Sequence, residues 1–385
     1  MKMVRITRGE ESKLTSWYFR TDWKLIGLLS ALFLVSVIMM ISAGSAEANR
    51  LSHPWYFFLQ KAAPFYLLGI FSFFFCSMLN KKMILYIAWI MFAVGMGCMV
   101  LTLIQHNVIN GSTRWVFFGG FRFLPADMLK PALVILTAWF LQRLQGIYGE
   151  NIFLNKEVFQ FKKDSWWPYL IAFMLCFGIM VKQPDLGTGL LFGCVVLVMA
   201  LVAGMPLKLF GTICAVGISG VFVYAMTTMS HIQNRVSQIF YVPPRTQVWY
   251  SLNAIRHGGL FGSGDEAYVQ DVLPEATNDF IYAAVVESWG AIAACVLIAI
   301  LYAILKVLIN HAISAKDDFV IYALTGTAAL FFGQICFNLM TSLHVILNKG
   351  MTLPFVSYGG GSFVFFCVLF GMILALIRED IWNNR

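Results

Sequence analysis

The residues best placed to do chemistry stand in LPEATNDF, residues 273–280, where Glu275 and Asp279 lie four positions apart just before the apolar run IYAAVV. A positioned carboxylate can take a proton as a general base. Helix-start chemistry also explains part of the stretch: Pro274 with Asn278 or Asp279 suits a helix entry, and acids suit the positive end of its dipole. Capping accounts for one acid at most, and Glu287, inside the apolar run, is left over. On a continuous helix Glu275, Asp279 and Glu287 fall near one face, with Glu287 about 12 Å below Asp279 at 1.5 Å per residue. A polar stripe descending from a surface fits a cavity better than lipid, because a charge deep in a bilayer costs about 2.5–3.5 kcal/mol.

Cations recur near the same apolar boundaries. In RFLPADMLKPAL, Arg122 precedes Asp127 and Lys130. A snorkelling lysine and an acid at a helix start explain the pair as well as an anion site does. The segment before LPEATNDF carries Arg235, Arg245 and Arg256 with Gln247 and His231. Arginine forks match phosphate, so this concentration points to an anionic ligand. KQPDLGTG places Asp185 between a proline and two glycines, which is also ordinary tight-turn composition. NKGMTLPFVSYGGGS brings Pro354, Ser357, Gly359 and Gly360 to the start of a further apolar run. Close helix packing explains the glycines, while the density of Ser, Tyr and Gly exceeds what packing needs. No P-loop, HExxH, GxSxG or dinucleotide fingerprint occurs, and the six histidines are scattered, which argues against a metal cluster.

These residues need elements to hold them. The chain is 59% hydrophobic and 12% charged, against about 25% charge in soluble domains, so it reads as an all-α polytopic membrane protein. Runs near the roughly 20 residues a span needs occur at 25–44, 63–79, 83–104, 128–145, 167–181, 188–205, 208–228, 279–308, 319–342 and 354–377. This predicts about ten transmembrane helices in one domain over 1–385. Most of the 27 Lys and Arg fall on the side of the termini, so the positive-inside rule puts both termini in the cytoplasm. Residues 1–24 become a cytoplasmic tail, with no cleavable signal peptide. Residues 229–278 become a large outer loop between spans seven and eight. The net charge of +8 is then a topology signal and calls for no nucleic acid. The eight cysteines all lie in apolar runs without a CxxC pair, which reads as buried small hydrophobes.

Four of the segments together resemble the SEDS proteins of bacterial shape, elongation and division. TRWVFFGGFRFLPADMLK is similar to the family's Arg-Trp motif with its following acid and lysine. QPDLGTG is similar to its hairpin motif, SLNAIRHGGLFGSG with LPEATNDFIYAAVVES to its large outer loop, and KGMTLPFVSYGGGS to its last-span motif. The likeness runs in order over nearly the whole chain, and LPEA with KGMTLPFVSYGG is closer to the division-type (FtsW-like) than to the elongation-type (RodA-like) branch. It implies a peptidoglycan glycosyltransferase of the bacterial cytoplasmic (inner) membrane. Such an enzyme polymerises lipid II, a disaccharide-pentapeptide on undecaprenyl pyrophosphate, at the outer face. It works with a class b penicillin-binding protein and other divisome membrane proteins.

The family's essential acid falls on Asp279 as general base, and its cations around the fourth span fall on Arg122 and Lys130. Glu275, Arg235, Arg245, Gln247 and Ser357 would then help bind substrate. Asp185, Glu287, Pro354, Gly359 and Gly360 rank lower, with structural roles. A divalent cation, Mg or Mn, could assist at the pyrophosphate, although no dedicated metal site shows in the sequence. The chain departs from the family pattern at Asp127, where the family has Glu, and at Thr277, where it has His. Two other classes of function compete. A lipid II flippase or transporter would continue its polar residues through the inner half of the spans, and here they gather at the outer ends. A scaffold that only activates its transpeptidase partner would not need Asp279.

Overall fold

A computed structural model describes residues 13–105, 112–118, 121–149, 152–228, 242–346 and 350–383. A short α1 (Lys13–Arg20) leads into α2 (Trp23–Arg50), α3 (Phe57–Ser77) and α4 (Lys81–Gln105). A hairpin of β1 (Val116–Phe118) and β2 (Phe121–Phe123) follows, antiparallel with Phe117 opposite Arg122. Then come α5 (Pro125–Tyr148), α6 (Trp166–Lys182), α7 (Leu186–Val202), α8 (Leu207–Thr228), α9 (Gln247–Gly258), α10 (Ile281–Ser314), α11 (Asp318–Ser342) and α12 (Gly360–Asn383). The starts follow local chemistry. Asp22 accepts from the amides of Lys24 and Leu25 at α2, and Asp317 from Phe319 at α11. Ser165 caps α6, and Pro125 opens α5 where a missing amide proton costs nothing.

A helix stands at each of the ten expected spans. Six of them, α2, α3, α4, α10, α11 and Gly360–Ile381 of α12, are long and apolar enough to cross a membrane. The helices α6 and α7 and Leu207–Gly220 of α8 are apolar but shorter. The exception is α5, which carries Asp127, Lys130, Gln142, Arg143 and Gln145. It packs against α4, α7, α11 and α12, and most of its first 17 residues are buried. Asp127 and Lys130 therefore face protein, where intramembrane charge is tolerated, while Arg143 near the end of the helix is exposed. The tightest packing joins α3 to α12. It runs over Gly69, where a Cβ would stand 2.5 Å from the Phe363 ring, and Gly371, where it would meet the Phe73 carbonyl. The end of the bundle that holds both termini is tied by Trp17 Nε1 donating to Ser77, Arg378 donating to the Leu79 carbonyl, and Lys81 paired with Asp317 at 2.6 Å.

At the other end the expected continuous helix through the three acids does not form. Residues 274–280 are turns and Glu275 has a left-handed φ of 59°. The 34-residue α10 begins only at Ile281, and Gly290 breaks its geometry at φ 82°. Glu287 consequently lines no polar stripe. It is completely buried, accepts from the Val269 amide at 2.8 Å and pairs with His257 Nδ1 at 3.0 Å. It holds the 257–273 segment onto α10. Glu287→Ala is expected to lower stability by about 1–3 kcal/mol, since it leaves a buried amide without an acceptor; thermal unfolding in detergent measures this. The last span also starts later than expected. Pro354 and Phe355, the latter at φ 64°, hold 350–359 as a turn, and α12 begins at Gly360.

Candidate active site

The 274–280 turn is positioned from three sides. From α11, Asn338 Nδ2 donates to the Asp279 carbonyl at 2.9 Å and to the Met351 carbonyl at 2.8 Å, joining two loops with one side chain. From the 350–359 turn, Ser357 Oγ donates to the Asn278 carbonyl at 2.6 Å, and the Tyr358 amide donates to the Thr277 carbonyl at 2.8 Å. From α2, buried Glu47 accepts from Thr277 Oγ1 at 2.6 Å while pairing with Arg50 at 3.3 Å. The backbone on both sides of Asp279 is therefore fixed while its carboxylate remains partly exposed.

A guanidinium stands near that carboxylate, across Gly350. Gly350 sits at φ 70°, and a Cβ there would stand 3.1 Å from Asp279 Oδ2 and 3.2 Å from Arg114 Nη2. Both side chains thus converge on one point that only glycine leaves open. Arg114 also lies 3.9 Å from Asp185 Oδ1, which in turn accepts from Thr188 Oγ1 at 3.0 Å. The Nε of Arg114 is buried with no hydrogen-bond partner among the described residues. A buried guanidinium donor of this kind suits an anionic ligand oxygen. Burial drives the Asp279 carboxyl up to about 7, with a further push from Glu275, against the opposing pull of Arg114. A carboxylate tuned to neutral pH has the proton affinity a general base needs.

The other sequence candidates sit as follows. Glu275 lies in the same turn and accepts from Asn278 Nδ2 at 3.1 Å. Ser357 positions backbone, accepting from the Leu353 amide at 2.8 Å as well as donating to Asn278. Arg122 is exposed on β2 with its guanidinium over the Trp115 ring at 5.7 Å. Lys130 is engaged elsewhere: it pairs with Asp127 at 2.6 Å, both buried, and lies 5.4 Å from the Phe366 ring of α12. Arg245, exposed at φ 64°, and Gln247 stand at the start of α9. Arg235 lies outside the described residues. Gly360 packs on the Phe65 ring and Gly359 on Thr352, which is the close-packing role. Among the described residues no group of three or more His, Cys, Asp or Glu gathers to hold a metal ion.

Sequence reasoning passed over Arg114, Glu47 and Asn338. Arg114 carried a signal, an arginine beside a tryptophan on the side poor in cations. Glu47 carried a weaker one, an acid near the end of an otherwise apolar helix. Asn338 carried none, because its two carbonyl partners become neighbours only through folding.

Comparison with known proteins agrees with this arrangement. A family model described as "Cell cycle protein", spanning FtsW, RodA and SpoVE, matches residues 22–381. The chain is 29% identical over 385 residues to "Probable peptidoglycan glycosyltransferase FtsW" of Caulobacter vibrioides, covering 97% of this chain and 93% of that protein. A protein of the same name from Thiomicrospira cyclica is 28% identical over 371 residues, with coverage of 93% and 92%. Among solved structures, a chain from work on "Structural coordination of polymerization and crosslinking by a peptidoglycan synthase complex" superposes with a TM-score of 0.74 at 20% identity, covering 94% of this chain and 98% of that one. The crystal structure of the rod shape determining protein RodA of Thermus thermophilus gives 0.66 at 21% identity, covering 94% and 97%. At these identities the structures establish a shared fold.

Proposed function

The chain belongs to the FtsW/RodA/SpoVE family of cell cycle proteins, multi-pass proteins of bacterial membranes, and from that premise we propose that it polymerises lipid II into glycan strands. The observation that carries this reading is the convergence of Asp279 and Arg114 on Gly350. The names of the relatives and the LPEA and KGMTLPFVSYGG segments favour the division-type role. The site lies at the end of the bundle opposite the termini, and the charge bias turns that end to the periplasm and the termini to the cytoplasm.

A hydroxyl of the acceptor sugar attacks the anomeric carbon of the donor. The new carbon–oxygen bond forms as the bond to the pyrophosphate breaks, and Asp279 takes the hydroxyl proton. Charge grows on the departing pyrophosphate, where Arg114 supplies two-pronged donors and Arg122 a second cation. One displacement needs one essential carboxylate, so Glu275 serves by raising the proton affinity of Asp279. Lys130 is neutralised by Asp127 and supports α5 from within. A class b penicillin-binding protein would cross-link the product, and other divisome proteins would recruit the pair.

The test is direct. The purified chain with its transpeptidase partner, supplied with lipid II in detergent, is expected to form glycan that a muramidase digests. Lipid II moving across vesicles with no polymer formed would replace this reading with the transport one.

A further inference from the structure

A cavity lies away from the site. It measures about 330 Å³, within the usual range for ligand pockets, and runs between α4, α5, α6 and α7. Its walls include Leu133, Leu136, Phe140, Phe173 and Cys176. The polar groups in that wall satisfy each other: Thr137 and Tyr169 share a hydrogen bond of 2.8 Å, and Tyr169 stacks on Phe140. Along α5 the lining extends from Leu129 to Leu144, about 22 Å at 1.5 Å per residue. An apolar slot of that length matches a hydrocarbon chain lying along the bilayer normal.

The two ends differ. Toward the active site the slot is closed, since Leu129 and Phe192 are each 1% exposed and Leu129 presses on Gly95, where a Cβ would meet it at 2.7 Å. At the end that carries the termini it opens on Arg143, Lys163 and Asp164. Arg143 pairs with Asp164 and lies 5.4 Å over the Trp139 ring, which packs edge-on against Trp89. Two cations face one acid there, beside two tryptophans of the sort that favour membrane interfaces. Lys156 and Lys162 stand in the same connecting segment.

We propose that this groove binds one anionic phospholipid of the inner leaflet, with an acyl chain in the slot and its phosphate at Arg143 and Lys163. The leaflet rests on the orientation given above; the headgroup and chain chemistry do not. The phosphate would accept from the guanidinium and ammonium, the recognition that basic pockets between membrane helices offer to anionic headgroups. A substrate polyprenyl chain anchored at the Asp279 end is disfavoured by the Gly95–Leu129 closure.

Native mass spectrometry of the full chain tests this without substrate, so its result is independent of polymerase activity. The wild type, equilibrated with equal phosphatidylglycerol and phosphatidylcholine, is expected to retain one lipid and to prefer the glycerol headgroup at least about fivefold. Arg143→Gln with Lys163→Gln, both at the exposed rim, should bring the preference close to one. Lys156→Gln with Lys162→Gln, an equal loss of charge off the groove, should leave it intact. Ala172→Trp and Cys176→Phe, which fill the slot, should remove both lipids. Equal loss of preference in the two charge pairs, unchanged retention in both filled variants, no retained lipid in the wild type, or displacement by a polyprenyl phosphate in preference to phosphatidylglycerol would each overturn the assignment.

Discussion

Asp279→Asn is expected to slow lipid II polymerisation by roughly 10²–10⁴-fold, the usual contribution of a positioned general base. The amide keeps the shape of the side chain but cannot take the hydroxyl proton. The loop around it should survive, because Asn338, Ser357 and Tyr358 hold the backbone of residues 277–279 and not the carboxylate. The variant should therefore still bind lipid II and melt near the wild-type temperature. The pH profile carries a sign. The base must be ionised, and burial places the Asp279 carboxyl at about 7, so the wild-type rate should rise with pH through that value and level off above it. Glu275→Gln removes one of the groups that raise this proton affinity, and the rising limb should move to lower pH. Asp279→Asn activity within tenfold of wild type would take Asp279 out of the reaction and leave a scaffold role standing.

Arg114→Gln carries the second largest effect, a loss of roughly 10²–10³-fold in turnover, as expected when one preorganised donor to a developing anion is removed. Arg114→Lys should recover part of this, because it keeps the charge and loses the fork. A second readout separates chemistry from mere support. Arg114 pulls the Asp279 carboxyl down, so Arg114→Gln should move the rising limb to higher pH, opposite to Glu275→Gln. A residue that only shaped the loop would lower the rate without that displacement. Arg122→Gln offers the comparison: an exposed arginine over Trp115 should cost far less, because its charge is screened by solvent.

Much of this protein is legible along the chain. Hydropathy located a helix at each of the ten expected spans, since a span facing lipid must bring its own apolar residues. Cation placement separated the two ends of the bundle. The acid at 279 stands out because a charge beside an apolar run is costly and marks a functional position.

What folding alone decided is which polar groups meet. Arg114, Asp185, Asp279 and Gly350 come from four separate segments, and no local pattern joins them. Their meeting requires a glycine at positive φ and an asparagine about one helix turn before the end of α11. The same contacts reassigned other residues. Glu287 became a buried clamp on the Val269 amide and His257, and Lys130 lost its free charge to Asp127 inside α5. A one-dimensional sequence reports the cost of burying a charge. Only the packed bundle shows which partner offsets that cost, and Asp279 was left with a partner close enough to tune it and a face open to substrate.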